Sequence, residues 1–267
     1  MLNINNAIRG FNENADAIAR VAEQISSGKK ILKLSDDPAG AGVLSTLKIQ
    51  SRSLDGIKKN LSAGASILEV SDKALQVQQT LLSDMRELAI RAKSELLSAQ
   101  QRTDLQKSFS ELQNQLDSTI SKAKLFGSSL LDSSATDIVI QTGFNSGEKY
   151  TLKATKSDST TLGISSASID LSSTTNAQAA MDAIEKASSA VSANQGSIGT
   201  MLIGIRKTEE NNKIMSSSIQ SSISKIEDAD IAELTSKLSM LQSKQQLISS
   251  TISITNSLPQ YLLNLIK

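Results

Sequence analysis

Apolar residues recur every 3.5 positions at both ends of this chain, and few folds are compatible with that. Near the start, Ile4, Ile8, Phe11, Ala15, Ile18, Ala22 and Ile25 are spaced 4, 3, 4, 3, 4, 3. Over the last thirty-seven residues, Ile231, Leu234, Leu238, Leu241, Gln245, Ile248, Ile252 and Thr255 are spaced 3, 4, 3, 4, 3, 4, 3. Such a period gives a helix one narrow apolar seam, which another helix has to cover. Chain termini are ordinarily the loosest part of a domain. A chain with sticky helices at both ends is built to join something, and copies of itself are the expected partner. Gln245 either sets the register of its seam or is a tolerated polar residue at a partly wet position.

The remaining composition narrows the function. Aromatic residues make up 2% of the chain and Trp is absent. A core of this kind is made of Leu, Ile, Val and Ala in thin helical seams rather than around large rings. With no Cys and no His, the chain lacks thiolate chemistry, disulfides and the commonest general base and metal ligand. A net charge of +1 gives no reason to expect nucleic acid or an anionic membrane as a partner. No run of about 18 apolar residues is present, so no membrane insertion is expected, and no signal-peptide pattern is visible at the start. No cofactor and no catalytic constellation are expected. The acidic pairs Asp36/Asp37 and Asp228/Asp230 read as caps and solvated turns.

Along the chain, a first helix is expected from about Asn3 to about Leu34, with Lys29, Lys30 and Lys33 complementing its dipole. Ser35 to Gly42 reads as a break, with Pro38 at a first helical position. A phosphate-cradling role for Gly40 and Gly42 lacks the rest of any nucleotide fingerprint. From Val43 to Lys93 the pattern resumes through Ala63, Ile67, Val70, Ala74, Val77, Leu81 and Leu88, with Asp84 as its one polar step. After a turn near Ser94 to Gln101 come Leu105, Phe109, Leu112, Leu116, Thr119, Ala123 and Phe126. Two helices joined by a short link form an antiparallel hairpin. Residues 130–176 change character. Asp137–Gln141 and Tyr150–Ala154 read as a β-hairpin around Thr142–Gly147, followed by Ser/Thr-rich loop, and the whole segment is expected as an exposed tip. From Ala180 to Ile226 one 3.5 phase runs unbroken over 47 residues, a rod of roughly 70 Å. The fold class is therefore mainly α: a long antiparallel helical bundle with a small β-hairpin tip and paired terminal helices.

Several segments, in order, resemble one family. They are Ile25-Ser-Ser-Gly28 with Asp36-Asp-Pro-Ala-Gly40, Met85-Arg-Glu-Leu-Ala-Ile90, Ile140-Gln-Thr-Gly-Phe-Asn-Ser-Gly-Glu148, Ile226-Glu-Asp-Ala-Asp-Ile-Ala232, and Pro259-Gln260 followed by Leu262, Leu263, Leu265 and Ile266. Over essentially its whole length the chain resembles bacterial flagellin in a short form, without the variable outer domains. The resemblance implies a structural subunit of the flagellar filament, exported unfolded through the flagellar secretion apparatus and found in the extracellular filament. It implies an export chaperone and the junction and cap proteins as further partners. It also implies three regions: residues 1–42 as an inner helix with its linker, 43–226 as an outer rod, and 227–267 as a helix pairing with the first. The seam that would join copies is Ile4, Ile8, Phe11, Ile18 and Ile25 with Ile231, Leu234, Leu238, Leu241, Ile248 and Ile252. Two alternatives are a hook–filament junction protein of the same superfamily and a coiled-coil adaptor that never polymerises. Met85–Ile90 and Pro259-Gln260 favour flagellin.

One departure bears on innate immunity. In flagellins recognised by the vertebrate Toll-like receptor for this family, the segment before Arg-Glu-Leu-Ala typically reads Gln-Arg and an apolar residue. Here those places hold Ser83, Asp84 and Met85, and the recognised Glu of the next helix aligns with Ser108. The resemblance thus marks Asp84, Arg86, Glu87, Leu88 and Ser108 as receptor-facing and implies weakened receptor binding.

Overall fold

The computed structural model of the chain describes the backbone of residues 2–165 and 168–265, and side chains for residues 5–165 and 168–254. Ile4, Thr255, Pro259, Gln260, Leu262, Leu263, Leu265 and Ile266, on which parts of the seam and family reading rest, therefore lie outside the described side chains. The elements follow as α1 (Leu2–Ser27), α2 (Pro38–Ala92), α3 (Ala99–Lys122), β1 (Ile138–Gln141), β2 (Lys149–Leu152), α4 (Thr174–Glu227) and α5 (Ile231–Leu265). The chain forms two compact units, one of residues 1–51 with 217–267 and one of residues 52–216.

In the unit that holds both termini, α1 packs against α5, so the terminal helices pair as expected. The first helix stops at Ser27, not near Leu34, because Gly28 turns into the left-handed region at φ 68°. Lys29 consequently pairs across to a carboxylate rather than completing a helix end. Asp36 accepts the backbone N–H groups of Leu32 and Lys33, and Asp37 caps α2 by accepting from Gly40 N–H at 2.9 Å. Pro38 then opens the helix, where its missing N–H costs nothing. Gly40 is required here: a Cβ would come within 2.3 Å of the Asp37 carboxylate. Asp230 caps α5 in the same manner through the N–H groups of Ala232 and Glu233.

In the other unit, α2 and α3 form the expected hairpin. Ser98 and Gln101 make a reciprocal capping box at the start of α3. One turn on, Arg102 donates to the Ala92 and Ser94 carbonyls and so closes the C-terminal end of α2. The buried stripe of α2 is Leu54, Ile57, Leu61, Gly64, Leu68, Ser71, Leu75, Gln78, Leu82, Met85, Ala89 and Ala92. That spacing is still 3 and 4, and Ile67, Ala74 and Leu81 of the predicted apolar series are buried beside it, while Ala63, Val70 and Leu88 are half-buried and Val77 is exposed. Gly64, Ser71 and Gln78 belong to the buried face and interrupt its apolar pattern. On α3 the buried positions are Leu105, Phe109, Gln113, Leu116 and Ile120. Phe126 lies past the helix and is exposed. The seam of α4 holds from Ala180 to Ile205 and then slips: Met215 is exposed, while Ile219, Ile223 and Glu227 are buried. Successive four-residue steps accommodate the drift of a straight helix from a 3.5 repeat.

Segment 130–176 is not an exposed tip. Leu130, Leu131, Leu152, Ile164, Ile169 and Leu171 are buried. Strands β1 and β2 pair antiparallel, Ile138 opposite Leu152 and Gln141 opposite Lys149. The hairpin lies close to two helical glycines: a Cβ on Gly64 would meet Ile140 at 2.2 Å, and one on Gly204 would meet the Tyr150 hydroxyl at 2.0 Å. Beyond the hairpin the chain runs as a strap whose polar backbone is satisfied by side chains of α2 and α3. Gln78 and Ser157 bond reciprocally at 2.5 and 2.8 Å, Asp117 accepts from Ser159 N–H and Oγ, Gln113 donates to Ile164 O, and Gln106 accepts from Leu171 N–H.

Candidate self-assembly surfaces

The pairing of α1 with α5 is built from unequal faces. Leu241 is 8% exposed, and Leu234, Leu238, Gln245, Ile248 and Ile252 are half-buried on the same stripe of α5. On α1 the buried positions are Asn14 and Val21, flanked by the half-buried Ala7, Gly10, Ala17 and Gln24. Asn14 Nδ2 donates to Leu241 O at 2.9 Å and to Gln245 Oε1 at 2.6 Å, a polar contact at the centre of the seam that is satisfied in one register. The apolar series of α1 is set to one side. Phe11, Ile18 and Ile25 are half-buried and Ile8 is 46% exposed. On α5, Ile231 is exposed, as are Met240 and Leu247 on another face.

A polar junction ties the two linkers of this unit. Lys29 and Asp228 form an antiparallel bridge, with Lys30 N–H donating to Glu227 O and Ala229 N–H to Gly28 O. Within it, Glu227 is buried, and its Oε1 lies 2.8 Å from both Lys29 Nζ and Lys48 Nζ. Burial opposes the charged form of Glu227, but the hydrogen bonds from Lys29 and Lys48 prevail and hold its carboxyl below the usual glutamate value. The Glu227 contact raises Lys29 in turn. Backbone N–H groups of Lys33 and Leu32 hold Asp36 low, aided by Arg20. A carboxylate depressed in the folded state stabilises the fold above its unfolded value, about 4.3 for Glu, and that support is lost as pH falls through the folded value. Acid is therefore expected to loosen this unit below about pH 4.3. Glu227→Gln should cost about 1–2 kcal/mol at neutral pH and flatten the acid limb of a circular-dichroism titration. An unchanged acid midpoint would show that Glu227 is not the responsible group. Neither Lys29 nor Glu227 stands out in sequence, since each sits among other charges.

The other unit carries a groove of about 400 Å³ between α2 and α3, lined by Asp84, Glu87, Leu88, Ser108, Glu111 and Leu112. Four of the five residues that the resemblance marks as receptor-facing meet there. Arg86 is exposed outside its lining, next to the fully buried Met85.

Comparison with known proteins decides the family. A family model for the bacterial flagellin N-terminal helical region matches residues 2–136, and one for the C-terminal helical region matches residues 181–266. The chain belongs to the bacterial flagellin family. It is 29% identical to a flagellin of Halalkalibacterium halodurans over 98% of this chain and 96% of the relative, and 26% identical to a flagellin of Listeria monocytogenes over 95% and 93%. The crystal structure of Bacillus cereus flagellin aligns with a TM-score of 0.52 at 25% identity, covering 58% of this chain and 88% of that one. Both described units hold residues of the matched regions, so the surfaces above belong to a flagellin fold. No helix among the described residues is long and apolar enough to cross a membrane.

Proposed function

We propose that the chain is a structural subunit of the bacterial flagellar filament, with the terminal pair α1–α5 forming the inner layer and residues 43–226 the outer rod. One observation carries this reading. The apolar series Ile8, Phe11, Ile18 and Ile25 runs beside the contact with α5 and stays partly open, so a neighbouring subunit has a prepared apolar stripe to cover. Terminal seams of this narrowness are weak alone and gain stability when neighbours pack on them. The same reading makes the export chaperone, the secretion apparatus, and the junction and cap proteins its partners, with the finished polymer extracellular. Seeded growth of the purified full-length chain should yield micrometre filaments, and a chain lacking residues 231–267 should yield none while its rod stays helical. Filaments from the truncated chain would remove the inner-layer assignment. Short capped assemblies from the full chain would favour the junction protein.

The groove supports a second reading, directed at the innate immune receptor. It gathers Asp84, Glu87, Leu88 and Ser108, with an acid where the recognised members of the family carry Arg, a planar multidentate donor. Two lost polar contacts at an interface centre, at roughly 2 kcal/mol each, leave binding of the monomer weak. A reporter-cell assay with Asp84→Arg combined with Ser108→Glu should recover signalling that the parent chain lacks; strong signalling by the parent would end this reading.

A further inference from the structure

Phe126 combines two features that are each unfavourable in a monomer, a strained backbone and an exposed ring. It is the one non-glycine residue with positive φ among the described residues, at 52°, and Gly127 follows at 77°. Leu125 and Ser128 exchange both backbone hydrogen bonds across them, at 3.0 and 2.9 Å. This is a two-residue hairpin turn of type I′, where Asn or Gly is the comfortable occupant of the first place and a bulky residue is an outlier. The ring nevertheless points outward, 75% exposed, while Phe109 is wholly buried. An aromatic held in a strained backbone and offered to water marks a contact outside the chain.

Its surroundings say which contact. Phe126 borders a shallow groove of α2 rimmed by Lys58 and Lys59, with Asp55 beside them. The groove at Leu88 and Leu112 has an apolar floor and an acidic rim of Asp84, Glu87 and Glu111. None of these two lysines and three acids takes part in an ion pair among the described residues. The two patches lie about twenty-five residues apart along α2, roughly 38 Å of helix. We infer that Phe126 of one copy seats on Leu88 and Leu112 of a second copy, its lysine rim against that copy's Asp84, Glu87 and Glu111. The two patches differ and occupy different places, so the contact is heterologous and propagates in one direction instead of closing a dimer. This inference rests on the filament reading above and adds to it a specific knob and socket.

The test compares critical concentrations for seeded growth, read by sedimentation, among full-length variants. Phe126→Asn should raise the critical concentration about tenfold, while the thermal midpoint of the monomer stays level or rises, because Asn suits the turn better. Glu87→Lys and Lys59→Glu should each raise it, and the two together should bring it back toward the parent value. If the parent chain grows filaments but Phe126→Asn matches it, or the paired reversal is no better than either single one, the knob-and-socket contact is overturned and the filament reading stands. If the parent chain grows no filaments, the filament reading falls and this inference falls with it.

Discussion

Leu241→Asp is expected to abolish filament growth while the isolated chain keeps most of its helix. Leu241 is 8% exposed, and its carbonyl accepts the Asn14 amide. Aspartate there places a charge inside the α1–α5 seam, while the nearest cations along the helix, Lys237 and Lys244, lie exposed one turn away on either side and Arg9 is tied to Glu13 at 3.5 Å. An unpaired charge in such a position costs about 3–5 kcal/mol, a large part of what a two-helix contact supplies. Residues 52–216 form a separate compact unit with its own buried stripe, so their helicity should persist. Sedimentation after seeding and circular dichroism of the same sample read both halves of the result. Normal assembly by Leu241→Asp would mean that the seam opens without consequence.

Gln78→Leu should destabilise the chain, although leucine is the better helix former and would lengthen an apolar row with Leu75 and Leu82. Gln78 is wholly buried, donates to Ser157 O and accepts from Ser157 Oγ, and Ser157 is wholly buried as well. Leucine would leave that carbonyl and hydroxyl in a dry site without partners. Each orphan costs about 1–3 kcal/mol, so a loss of about 3 kcal/mol is expected in chemical denaturation of the monomer. Adding Ser157→Ala removes the hydroxyl and should return part of the loss. A Gln78→Leu chain as stable as the parent would show that the strap is not held by this pair.

Those two residues also show what was legible in the sequence. Helix content, the pairing of the terminal helices, the β-hairpin, the α2–α3 turn and the caps at Asp37 and Asp230 followed from spacing and local chemistry, whereas the α1 positions buried against α5 are Asn14 and Val21 and not the apolar series. The buried face of α2 was legible only in part: Ile67, Ala74 and Leu81 of the apolar series are buried, but periodicity is sought among apolar residues, and Gly64, Ser71 and Gln78 also occupy buried places. Glycine is there to admit Ile140 of the hairpin, and Gln78 to hold the strap. The strap itself reads as polar loop because its polar groups find partners far away in sequence, Ser157 at Gln78, Ser159 at Asp117 and the backbone of Ile164 and Leu171 at Gln113 and Gln106. The groove residues were recognisable through the family resemblance, whereas Phe126 looked like one more step of a helical seam. Only the backbone of the Leu125–Ser128 turn reveals its exposure.

Asn14 and Leu241 touch across 227 positions of chain. Closing a loop of that length from an unfolded chain costs about 5 kcal/mol of entropy, by the logarithmic dependence on loop length. Nearly all of the polypeptide has to be present before α1 meets α5, and the closure is least costly once residues 52–216 have already folded. Loop-closure entropy thus favours an order in which the terminal pair forms last and releases first. The apolar stripe of α1 acquires its backing helix only at that final step, so a half-made chain offers no finished face to its neighbours.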